Sequence, residues 1–473
     1  MVAEEGVGKM KRHSRLIVTG IIFVLLLGWV MTQERGRKVE KGEAFGIDAK
    51  TATKLQVKSL TTSLTLEKAG DQWWITDPVR GWADKEAAER MINALAQLKP
   101  TGSRNENPAD AKYGLDKPTL TATLTHGGKQ SIIYLGAQLT GGSEYYARIE
   151  GRNKLYFVPT SLFSDLTQPT DSLRDKALTH LKKEDVVSIV LQYPDRVLTL
   201  EKRGTVETPQ WMLTAPYEAK ADEWSAKQVL DKLADLKADD FAPEKPTASQ
   251  DYGLAKPVLK ATLRTKDGKQ SIIDFGAKGK QPGDATKEIS YVQVEGRPET
   301  LLVAYSNMTD LQRTDMDLRD KRMLEFEKNE VSEIRVERKQ GLSFSARRTG
   351  PDRWSLATPI TAPAENNKIN DLLWDLNELE AKEFLGEQKE LSPYGLAVPE
   401  SIFTLTVKGQ REPIKVFVGY KKAEGVYFAR TSQSNQVYVI SDMLLQDLPK
   451  KVEDLKEAKP ASPTPATATP PAS

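Results

Sequence analysis

The sequence predicts an α+β protein of three tandem modules, each a mostly antiparallel β-sheet with one main helix, set behind one N-terminal transmembrane helix. Three observations predict it: a signature recurring at domain-sized spacing, a helical apolar stripe in every copy, and short β-rich runs around that stripe. The signature is Tyr-Gly-Leu with a proline five residues after its tyrosine. It occurs as Tyr113-Gly114-Leu115 with Pro118, Tyr252-Gly253-Leu254 with Pro257, and Tyr394-Gly395-Leu396 with Pro399. The copies lie 139 and 142 residues apart, a spacing that suits a domain rather than a solenoid repeat.

At the N-terminus, residues 1–15 are expected to form a cytoplasmic tail and residues 16–32 a transmembrane anchor. The run Leu16 to Met31 is uncharged and follows Lys9, Lys11, Arg12 and Arg15. A helix of that length falls somewhat short of the roughly 30 Å hydrocarbon thickness, so Thr32 and snorkelling flanks complete the span. A cleaved signal peptide competes with this reading, but no Ala-x-Ala-like site follows Val30. Arg35, Arg37, Lys38 and Lys41 after the run balance the basic residues before it, so the positive-inside count is a tie. A short tail is easily kept inside, and a chain without cysteine suits an oxidising compartment; both favour modules in the periplasm of a single-pass inner-membrane protein.

The modules are expected at residues 47–180, 183–326 and 328–456. In each, Trp73, Trp211 or Trp354 precedes a proline by five residues, at Pro78, Pro216 and Pro359. A helix follows, with apolar residues at i, i+1, i+4 and i+7: Met91, Ile92, Leu95, Leu98, then Val229, Leu230, Leu233, Leu236, then Leu372, Leu373, Leu376, Leu379. Asp84 and Asp222 stand where a carboxylate can accept free N–H groups at the helix start, and Glu365 fills the place less well.

Strand-like runs precede the helix, such as Leu55 to Lys58 with Leu64 to Glu67. Others follow the tripeptide, such as Leu120 to Thr125 with Ser131 to Leu135, several alternating apolar and polar. Gly136, Gly276 and Gly419 end the second run after each tripeptide, where positive φ is the expected reason. The tryptophans and the tripeptides read as structural: core anchors where strand meets helix, and a tyrosine packed under a tight glycine turn with proline fixing entry to the next strand. Arg148 and Arg430, in matching aromatic strands, are the candidate contact residues, although the second module has Gln293 there.

Each of the first two modules closes on Leu-Arg-Asp-Lys, at Leu173 to Lys176 and Leu318 to Lys321, while the third keeps only Leu455-Lys456. If the tetrapeptide docks one module onto the next, the last copy has nothing to dock; an ordinary charged turn is the alternative. Residues 457–473, rich in Pro, Ala and Thr, cannot bury a core and are expected to be disordered.

Composition supplies enough apolar material, 39% of 473 residues, for three cores. Lys and Arg number 68 against 66 Asp and Glu, interspersed, for a net charge of +2, so no concentrated basic surface points to nucleic acid. The search for catalysis returns no candidate. Cysteine is absent and histidine occurs only at His13, His126 and His180, which removes cysteine chemistry and argues against a zinc site. Neither a Gly-x-Ser-x-Gly elbow nor a P-loop is present, and carboxylate pairs such as Asp315 with Asp317 or Asp239 with Asp240 read as solvated turns. No catalytic residue, cofactor or metal site is therefore expected.

The Trp-to-proline spacing, the acidic-capped helix, Tyr-Gly-Leu-x-x-Pro and the Leu-Arg-Asp-Lys closure together resemble the uncharacterised bacterial family catalogued as domain of unknown function 4340, over about residues 47–456. The resemblance implies an extracytoplasmic, non-catalytic accessory or scaffold subunit of an ABC-type, gliding-motility-auxiliary-like transport system. Its partners would be membrane lipid through the anchor and an ABC permease and ATPase. It supplies no site residues, and the worn third closure departs from its pattern. The alternative is an envelope-binding protein that recognises glycan or protein independently of a transporter.

Overall fold

A computed structural model describes residues 45–205, 207–243 and 252–457. The tail, the anchor and the segment 458–473 lie outside the described residues. Among the described residues no helix is long and apolar enough to cross a membrane. By contact, those up to Lys202 together with Lys227–Gln312 form one compact unit, and Arg203–Ala226 with those from Arg313 onward form the other.

The described residues form three nine-stranded sheets of the same strand order, and the paired strands run antiparallel. In the first, β1 (Ala52–Ser59), β2 (Ser63–Ala69), β3 (Gln72–Asp77) and β4 (Gly81–Trp82) precede helix α1 (Lys85–Ala96). After it come β5 (Gly102–Arg104), β6 (Leu120–His126), β7 (Lys129–Gln138), β8 (Glu144–Ile149) and β9 (Leu155–Pro159). The order β4-β3-β2-β1-β6-β7-β8-β9-β5 places β4 and β5, which flank the helix in sequence, at opposite edges. Helix α1 therefore connects the two edges of the sheet.

The alternation of β1 and β6 explains one buried face: Leu55 and Val57 pair with Leu124 and Ala122, all within 1% of full burial. Met91, Ile92 and Leu95 of α1 join the same core, with Trp73 and Ile75 of β3. Burying each such side chain contributes roughly 1.5–3 kcal/mol before entropy is subtracted. The opposite face is covered by the tripeptide, where Tyr113 and Leu115 cluster with Leu155 and Phe157 of β9.

The helix starts follow the expected chemistry. Asp84 accepts the Ala87 N–H at 2.7 Å and Asp222 the Ser225 N–H at 2.7 Å, whereas Glu365 makes no side-chain cap bond. Asp84→Ala is expected to lower stability by about 1 kcal/mol and Glu365→Ala to leave it nearly unchanged, a contrast read from urea midpoints. Equal losses would remove the cap as the cause.

One expectation is corrected. Gly136, Gly276 and Gly419 are absent from the glycines with positive φ. A Cβ at each would lie 2.1, 2.1 and 2.0 Å from the carbonyl oxygen of Tyr113, Tyr252 and Tyr394. Close backbone approach, not φ, demands glycine there. Positive φ belongs instead to the tripeptide glycines, at 66° for Gly114, 66° for Gly253 and 69° for Gly395.

Candidate functional site

Most of the repeated residues lie in the packed interior. Trp73, Trp211 and Trp354 are buried, and their carbonyls accept the N–H of Ala83, Ala221 and Ala364, the residues that lead into each helix cap. The prolines five residues on, Pro78, Pro216 and Pro359, follow the three cis peptide bonds. Tyr113 is buried while Tyr252 and Tyr394 are half-buried, each ring against an aromatic of the strand matching β8: Tyr146, Tyr291 and Phe428. Leu115 and Leu396 are buried and Leu254 half-buried. Pro118, Pro257 and Pro399 stand just before a pairing strand, and the next residue's N–H, of Thr119, Val258 or Glu400, opens the ladder at 2.8 Å. Proline lacks that donor and is placed where none is needed.

Arg148 and Arg430 are half-buried rather than exposed. Each lies across from an aromatic on the neighbouring strand, Arg148 at 4.0 Å from the Tyr134 ring and Arg430 at 5.6 Å from that of Phe417. Gln293 instead donates to the carbonyls of Val294 and Arg297. His126 contacts Ser131 across a hairpin. Among the described residues no group of three or more His, Asp or Glu could hold a metal ion.

The closures bring polar side chains together. In the first, Asp84 N–H donates to the Leu173 carbonyl at 2.8 Å and Asp175 N–H to that of Trp82 at 2.9 Å, so the segment pairs with β4 of its own module. Two residues on it turns to the second module: Ala238 N–H donates to the Lys176 carbonyl and Leu178 N–H to the Leu236 carbonyl. The Arg174 guanidinium lies 3.5 Å from the Phe241 ring centroid. Arg297 donates to the carbonyls of Asp175 and Ala177, at 2.5 and 2.7 Å, and to Glu299 at 2.6 Å. The side chains of Arg297 and Glu299 are 0% and 5% exposed, and Glu299 also accepts the Trp82 N–H.

The second closure repeats the pattern. Asp222 N–H donates to Leu318 and Asp320 N–H to Lys220, while Ala381 N–H donates to Lys321 and Met323 N–H to Leu379. Arg319 lies 3.3 Å from the Phe384 ring and donates to Gln436 at 3.1 Å. In the third closure Glu365 N–H donates to Leu455, the bond matching those to Leu173 and Leu318. The leucine carbonyl and the aspartate N–H thus serve their own module, while the arginine side chain and the lysine carbonyl reach the next. The third copy keeps both own-module bonds, with Glu457 N–H donating to the Pro363 carbonyl at 3.2 Å, and has Lys456 in place of the arginine.

Sequence reasoning missed the receiving aromatics. Phe241 and Phe384 each stand eight residues after the third apolar position of the helix, Leu233 or Leu376, and the first module has Ser103 at that offset from Leu95. The signal was therefore readable. The Arg297 and Glu299 pair occurs in one module and left no repeat to follow.

His180 adds a titratable group to the first closure. Its Nε2 lies 2.6 Å from Asp175 Oδ2 and its ring stacks with Trp82 at 6.2 Å. The Asp175 hydrogen bond raises its pKa above the ordinary 6.5, against the opposing effects of burial and the Arg297 charge. The folded state favours the imidazolium, so its stabilisation is complete below pH 6.5 and is lost as pH rises through the higher folded value. The side chain is 57% exposed and solvent screens the effect. Amide-exchange protection of residues 175–181, corrected for intrinsic rates, is expected to fall as pH rises from 6.5 through the higher folded value. His180→Gln should flatten that profile; an unchanged profile would assign it to another group.

The sheets and closures define a tandem-repeat protein in which module joins module through one recurring device. The family model described as Domain of unknown function (DUF4340) matches residues 73–210, 211–399 and 354–469. The chain belongs to this family, and the matches begin on Trp73, Trp211 and Trp354, in the third strand of each sheet. No curated protein matches it.

Proposed function

We propose that the chain is a membrane-anchored, extracytoplasmic accessory or scaffold subunit of an ABC-type, gliding-motility-auxiliary-like transport system, and that it is not an enzyme. In this reading the run Leu16 to Met31 is its single span in a bacterial inner membrane, the modules lie in the periplasm, and a partner ATPase supplies the energy. The observation that carries the proposal is the closure chemistry. The recurrent charged side chains, Arg174 and Arg319, stand against aromatics of the following module. Such a chain presents fixed surfaces to partners.

The test is purification of the tagged full chain from lightly crosslinked native membranes in mild detergent, with accompanying proteins identified by mass spectrometry. Recovery of an ABC permease and ATPase is the expected result. Reproducible absence of both, with glycan or outer-envelope proteins recovered instead, would overturn it and leave envelope binding as the better account.

A further inference from the structure

The third module exposes apolar side chains around a cleft beside its helix. On its helix, Asn366–Asn377, the residue after Leu373 is Trp374, 57% exposed, where the first two helices have Asn93 and Asp231 after Ile92 and Leu230. Met443, 66% exposed, opens the short helix Met443–Gln446 nearby. Both line a cleft of about 600 Å³ together with Met316. Large apolar side chains left this open around a concavity mark an interaction surface more often than an accident of folding.

The rim is acidic. Asp375, Glu378, Glu380 and Asp447 line the cleft against two lysines, Lys321 and Lys382. Among the described residues no lysine or arginine pairs with Asp375 or Asp447. Burial, and then the charges of Asp447 and Asp371, raise the pKa of Asp375, so its carboxylate sits among like charges. Lys328 covers part of Trp374, with Nζ 3.6 Å from the ring centroid, which shows that the indole accepts a cation in this setting.

We propose that this cleft docks a basic, amphipathic segment of a partner protein, with an apolar side chain seated between Trp374 and Met443 and a lysine or arginine meeting Asp375 and Asp447. Charge complementarity selects such a segment over acidic peptides and glycans, and the exposed tryptophan and methionine supply the adaptable apolar seat. The inference rests on the reading of the chain as a protein-binding scaffold and names the chemistry of one contact.

The experiment places photoreactive p-benzoylphenylalanine at Met443 of the full chain, irradiates native membranes and sequences the crosslinked peptide. The expected adduct is one partner segment that carries lysine or arginine beside apolar residues. Its yield should fall at least fivefold in Trp374→Asn and in Asp375→Asn, and should also fall in high salt. Both substitutions are at helix surface positions, and unchanged urea midpoints would show that the fold is kept. No adduct, an adduct with lipid or with this chain's own residues, or one that both variants leave unchanged would overturn the proposal. Recovery of the permease and ATPase without such an adduct would remove the cleft and keep the scaffold reading. A variant-sensitive basic adduct from a protein of no transporter would do the reverse.

Discussion

Glu299→Ala is expected to lower stability by about 3–5 kcal/mol, because it strands a guanidinium that is fully out of water. Arg297 is held by Glu299 and by the carbonyls of Asp175 and Ala177, and the carbonyls alone leave its charge uncompensated. The same substitution takes away the acceptor of the Trp82 N–H. The double variant Arg297→Met with Glu299→Leu removes both charges together. It still deprives two carbonyls of a donor, so a smaller loss of about 1–3 kcal/mol is expected. Urea unfolding followed by amide exchange would show the loss centred on residues 82 and 174–178. A single variant within about 1 kcal/mol of the parent would mean that water reaches the stranded guanidinium in the folded protein, and would refute the argument from its burial.

Gly276→Ala should cost about 1–3 kcal/mol or more, since the added methyl meets backbone rather than a yielding side chain. Its Cβ would lie 2.1 Å from the Tyr252 carbonyl oxygen, which accepts the Ala277 N–H at 2.8 Å. Relief requires the tripeptide to lift from the strand, which also weakens that bond. Gly136→Ala and Gly419→Ala should behave alike, each within its own module. Gly350→Ala is the control: its nearest neighbours would lie 3.8 Å away and its φ is not positive, so it should be near neutral. A Gly276 variant as stable as the Gly350 variant would refute close approach as the reason for the glycine.

The parts of the fold with local periodicity were legible. The apolar stripe of α1 and the alternation of β6 follow from side-chain geometry within one element. The edge strands were not. Gly102–Arg104 is three residues without pattern, and its place beside β9 is set by the helix that connects the two edges. Gln72–Asp77 was read for its tryptophan and proline rather than as a strand, since Trp73 and Trp74 are both apolar and mask the alternation. Gly136 was noticed for the wrong reason, because the oxygen that excludes its Cβ comes from a distant part of the chain. The arginine of each closure was legible because it recurs, whereas its aromatic receiver is missing from the first copy and so escaped notice.

The unequal distribution of those two halves gives the chain a grammar of length. The first module offers Arg174 but has Ser103 where a receiver would stand; the third has Phe384 but only Lys456 to offer. The second alone owns both, in Phe241 and Arg319. It is the one copy whose duplication in place would leave each closure arginine facing a phenylalanine, so insertion of a second such module between the first and the third would keep the joint chemistry intact.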